Sequence, residues 1–154
     1  MGASRRDFTL AGGLLAALAA VGSRAAELAP PAPGWNRAAF EAKTVAEALK
    51  ALGIAAAEDS PEVELTAPEI AEDGAVVPAV VQCRAAGIRE IHLLVDKNPS
   101  SLSASFFLPD GTDAFVSTRI KMAETSNIVA LALGEGKAYL ARKQVKVTIG
   151  GCGG

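Results

Sequence analysis

The chain is short of the residues that usually announce chemistry. Its 154 residues hold one histidine, His92, and two cysteines, Cys83 and Cys152. A histidine set between Ile91 and Leu93, with no second ligand at metal spacing, reads as an ordinary strand residue and cannot anchor a Ser-His-Asp constellation. Runs of Lys and Arg are missing, and 15 Lys+Arg against 17 Asp+Glu leave a net charge of -2. That removes the basic footprint a nucleic-acid-binding surface needs. Long apolar runs are missing too: Leu10 to Val21 is about half of the roughly 20 residues that cross a bilayer, so no membrane anchor is expected. Aromatics make up only 5% of a chain that is 50% hydrophobic. A core made mostly of Ala and Val suits a sheet better than a helical bundle. Gly134-Glu135-Gly136 is a hairpin signal rather than a phosphate-binding loop, and Asp96, Asp110 and Asp113 are turn residues before they are acids. No bound cofactor and no metal is called for.

What is present begins with an address. Residues 1–25 carry Ser4-Arg5-Arg6-Asp7-Phe8, a weakly apolar stretch, and small residues around Arg24 at a cleavage point. The pattern resembles the twin-arginine export signal, with Arg5 and Arg6 as the paired arginines; an ordinary secretory signal is the alternative. Twin-arginine export takes proteins already folded, so it points to the periplasm and, in a chain without a cofactor motif, to a co-folded partner subunit. Residues 26–34, rich in Pro and Ala, form a spacer, because proline lacks an N–H and fixes φ.

The folded domain is expected over 35–149. Trp35 and Phe40 flank Asn36 as a hydrophobic staple, and Val45, Ala48, Leu49 and Leu52 follow at helical spacing up to Gly53, which predicts one N-terminal helix. From Val63 the pattern changes to short β-branched runs between turn signals. Strands are predicted at 63–66, 75–83, 88–95, 102–108, 114–122, 127–133 and 138–149, an immunoglobulin-like β-sandwich of about seven strands.

The last strand runs into Gly150-Gly151-Cys152-Gly153-Gly154. Four glycines cost more entropy to order than any other residues would, so a fixed structural role is poorly served and a mobile arm over 150–154 is well served. Three other readings of Cys152 compete: a disulfide to Cys83, which lies in an apolar strand run, an inert frayed terminus, and lipidation, for which Cys152 stands at the wrong distance from the C-terminus. No lysine stands beside the thiol to activate it, so partners must. The arm is thus a carrier's rather than an enzyme's.

The stretches SRRDF, VAEALKALG, LTAPEIAEDGAVVP, IHLLVDKNPSSLSASF, RIKMAETSNIVA and KVTIGGCGG together resemble the SoxY family, the sulfur carriers of periplasmic thiosulfate oxidation. The resemblance implies a covalent thiosulfate-derived sulfur adduct on Cys152 and a carrier that is itself non-catalytic. It implies a heterodimer with a small β-sandwich subunit, SoxZ. It also implies transient docking to a haem enzyme that couples thiosulfate to the thiol, a hydrolase that releases sulfate, and a sulfur dehydrogenase. Cys83 departs from the family pattern, in which the arm cysteine usually stands alone. Two other classes remain open on the residues: a carrier that uses Gly153-Gly154 as a thiocarboxylate, and a structural β-sandwich with an incidental thiol tail.

Overall fold

The computed structural model describes residues 34–150. The export signal with Arg5 and Arg6, the prolines of the spacer, and Gly151, Cys152, Gly153 and Gly154 lie outside the described residues.

Residues 35–150 belong to one compact unit. The staple forms: Trp35 and Phe40 stack at 4.3 Å between ring centroids. The predicted helix is divided in two, α1 (Arg37–Glu41) and α2 (Val45–Ala51). Thr44 and Glu47 explain the break. Thr44 Oγ1 accepts from the Glu47 N–H at 3.2 Å, and the Glu47 carboxylate accepts from the Lys43 N–H at 2.9 Å. This is close to a capping box, and it starts a new helix where apolar spacing alone suggested continuity. Asn36 ties the halves together, its Oδ1 capping Ala39 N–H and its Nδ2 donating to the Ala51 carbonyl. Gly53, at φ 76°, ends α2.

Nine strands follow: β1 (Glu58–Asp59), β2 (Val63–Thr66), β3 (Ile70–Asp73), β4 (Val77–Cys83), β5 (Ile88–Val95), β6 (Leu102–Phe107), β7 (Phe115–Ile120), β8 (Ser126–Gly134) and β9 (Lys137–Ile149). The seven expected strands are all there, and the fold is the expected mainly β sandwich. The two additions, β1 and β3, are short and pair parallel with β9.

The larger sheet runs β1-β9-β8-β5-β6, with β3 also on β9; the smaller is β2-β4-β7. Ile91, Leu93, Val95, Ile128, Ala130 and Val145 from the first meet Val63, Val77, Ala79, Val81, Val116 and Ile120 from the second. On its other face the large sheet packs Leu94, Val129, Leu131 and Leu140 against Ala39, Ala42 and Ala48 of the helical segment. Strands β5 and β8 are therefore covered on both sides, which is why they read as nearly continuous apolar runs.

Candidate functional site

The described chain ends at the root of the C-terminal segment, and that root is a built structure. β9 pairs with β8 as far as Ser126↔Val145 and then overshoots it. Over its last residues β9 is held on one side by β3, in the register Ile70↔Lys146, Ala71↔Val147 and Asp73↔Ile149. The Lys146 N–H donates to the Glu69 carbonyl at 2.9 Å. On the side that β8 has left, Thr125 takes over. Its Oγ1 accepts from the Val147 N–H at 2.9 Å and lies 3.4 Å from the Val147 carbonyl, to which it donates.

The segment that carries Thr125 is itself fixed. Asn98 Nδ2 donates to the Lys121 carbonyl at 2.7 Å, while its Oδ1 accepts from the Ala123 N–H at 2.9 Å. Met122 is fully buried, and its N–H donates to the Gly74 carbonyl at 2.7 Å. Gly150 then packs on the Ala123 carbonyl so closely that a Cβ would collide with its oxygen. Gly150 is thus glycine for space, whatever freedom it also lends. Ile149 (66% exposed) and Val76, in the turn after β3, stand bare at this end.

Cys152 is two residues beyond Gly150, so its Cα stays within about 7 Å of the Gly150 Cα whatever path the chain takes. Cys83 sits at the other end of β4 from Val77, and Val77 pairs with Ile120 next to the arm's root. Six strand steps, about 20 Å, separate Val77 from Cys83. That is well beyond the roughly 7 Å between Cα atoms that a disulfide spans. Cys83 is a free, buried thiol. Burial pushes its pKa up and the nearby Glu62 adds to this, against a backbone hydrogen bond at Ala85. It packs with Val63 and Val81 as a small apolar side chain.

His92 lies in β5 as the strand residue expected. It is fully buried, with Nδ1 2.8 Å from Ser105 Oγ and Nε2 3.1 Å from Glu90 Oε2. It stands level with Leu131 and Leu140 in the sheet, well up β9 from Gly150. Among the described residues no three His, Cys, Asp or Glu side chains gather as a metal site. The residues that sequence reasoning missed are Thr125 and Asn98. Their bonds span 22 and 25 residues, and no local pattern signals them.

The family model described as "Sulfur oxidation protein SoxY" matches residues 48–152, ending on Cys152. Among solved structures, the sulfur carrier protein SoxY from Chlorobium limicola f thiosulfatophilum is 37% identical, with a TM-score of 0.59 over 66% of this chain and 92% of that one. A superoxide reductase (neelaredoxin) from Ignicoccus hospitalis is 19% identical, with a TM-score of 0.49 over 55% of this chain and 79% of that one. No curated protein matches.

Proposed function

The chain belongs to the SoxY family, and on that premise we propose that it holds substrate sulfur on the Cys152 thiol and presents it to successive partner enzymes. It is a sulfur carrier in sulfur oxidation and not itself an enzyme. One observation above all supports Cys152 as the attachment point: the family match runs along β9 and stops on that residue. The pinned root at Gly150 and the short reach beyond it suit a group delivered into a narrow channel.

The proposed cycle starts with a haem enzyme. Thiosulfate and the Cys152 thiol join through a new S–S bond, the thiol proton is released, and two electrons leave one at a time through the haem to an electron acceptor. A hydrolase then cleaves the terminal S–S bond with water, releasing sulfate and leaving a persulfide on Cys152. A sulfur dehydrogenase oxidises that outer sulfur to the sulfonate level, taking oxygen from water and passing the electrons on. A last hydrolysis frees sulfate and the thiol.

Members of this family work with SoxZ. For this chain the partner is a small β-sandwich subunit in a heterodimer. The outer edges of β6 and β7 are unpaired in the described sheets, they carry exposed Phe107 and Phe115, and Leu102–Phe107 has no charged residue to repel another strand. Among the described residues no helix is long and apolar enough to cross a membrane. Arg5 and Arg6 direct the chain to the periplasm by the twin-arginine route, with 1–25 removed, 26–34 as spacer, 35–149 as carrier domain and 150–154 as arm.

The test is peptide mass spectrometry of protein from thiosulfate-grown cells, prepared without reductant. A thiosulfate or polysulfur adduct confined to Cys152 is expected. A bare thiol on the C-terminal peptide in every preparation overturns the assignment.

A further inference from the structure

We propose that Thr125 is a positioning residue for the carrier arm: its hydroxyl, bonded to Val147, holds β9 in the sheet beyond its last β8 pair, so that the arm leaves the sheet after Ile149 and not further back at Val145. The inference rests on the reading of Cys152 as the sulfur carrier. A strand that outruns its neighbour exposes a backbone donor and acceptor for every second residue on the deserted side. On β9 that residue is Val147, because Lys146 turns its N–H the other way, to Glu69. One hydroxyl answers both Val147 groups, accepting at 2.9 Å and donating at 3.4 Å. Thr125 therefore does with a side chain what one more residue pair of β8 would do with backbone. It is held to this task from behind, since Asn98 fixes Lys121 and Ala123 just ahead of it.

Loss of that hydroxyl leaves β3 as the remaining backbone partner of Lys146 to Ile149, with the packing of Val147 and Gly150 to resist peeling. If they peel away, the chain from the last held residue to Cys152 grows from two Cα–Cα steps to seven, and its reach from about 7 Å to about 24 Å. The local concentration of a tethered group falls as roughly the −3/2 power of tether length, which is about sixfold here as an upper bound. A longer arm explores more space but spends less time at the mouth of any one channel.

The experiment uses the full chain with its partner subunit, conjugated with thiosulfate at Cys152, as substrate for the sulfate-releasing hydrolase. Thr125→Val is expected to raise KM several-fold with kcat held, and Thr125→Ser to restore the wild-type KM. Alkylation of Cys152 by iodoacetamide, which needs no positioning, is expected to proceed equally in all three. Hydrogen exchange of the wild-type Val147 amide supplies a reading that does not depend on any variant folding, and protection like that of amides paired to β8 is expected. A rapidly exchanging Val147 amide, an unchanged KM in Thr125→Val, or a Thr125→Ser that behaves like the valine variant overturns the proposal. Turnover that survives Cys152→Ser overturns instead the carrier reading on which it rests.

Discussion

His92 and Ser105 stand directly opposite each other on β5 and β6, joined by a 2.8 Å hydrogen bond between the imidazole Nδ1 and the hydroxyl. On the other ring nitrogen, Glu90 Oε2 is 3.1 Å away. An ionised carboxylate only accepts, so Nε2 carries the proton, Nδ1 accepts, and the Ser105 hydroxyl donates. The neutral ring is satisfied on both sides, with Phe107 edge-on to it at 6.4 Å, and it fastens the uncharged edge strand β6 to the sheet.

That arrangement gives stability a pH dependence. Burial, the largest influence, pushes the His92 pKa down, and the neighbouring Glu90 only partly offsets it. The folded pKa therefore lies below the unfolded value of about 6.5. As pH falls through that region the unfolded chain takes up a proton that the folded chain resists, so stability is lost toward acid. Urea midpoints measured at pH 7.5 and 5.5 are expected to fall more for the wild type than for His92→Gln. Equal falls would mean that His92 does not titrate differently on folding.

The two cysteines separate cleanly. Cys152→Ser is expected to abolish sulfur loading without moving the thermal midpoint, because an oxygen for a sulfur on a glycine-flanked terminal residue changes little else. Cys83→Ala is expected to load normally and to cost about 1 kcal/mol of stability, the usual scale for trimming a small buried side chain. Under air, non-reducing electrophoresis is expected to show Cys152 disulfides only between chains; a Cys83–Cys152 peptide from a monomer band would contradict the geometry.

Gly150 and Gly153 are expected to respond differently to alanine. A Cβ at Gly150 meets the Ala123 carbonyl, and overpacking of this kind costs about 1–3 kcal/mol. Thermal denaturation should show that loss for Gly150→Ala and none for Gly153→Ala. If the two variants unfold alike, space is not what keeps residue 150 a glycine.

Thr44→Ala removes the cap that starts α2, and a loss of about 1 kcal/mol is expected from denaturant unfolding. Because α2 contributes Ala48 to the layer over Leu131 and Leu140, the loss should appear in the single global transition and not as a separate helical one.

The sequence by itself determined the strands at Val63–Thr66 and Ile88–Val95, which carry their own signals of β-branched or apolar runs between turn residues. It also singled out Cys152, since a thiol among terminal glycines is conspicuous without any folding. Thr44 and Glu47 were legible in principle as a capping box, but the apolar spacing on either side of them outweighed it. Tertiary structure alone decided β1 and β3, because Glu58-Asp59 and Ile70-Ala71-Glu72-Asp73 have little strand pattern of their own and are strands only because β9 lies beside them. It also decided the roles of Thr125, Asn98 and Ser105. Each is an unremarkable polar residue until a partner many positions away arrives opposite it, and hydrogen-bond complementarity between distant segments leaves no periodicity in the chain to be read.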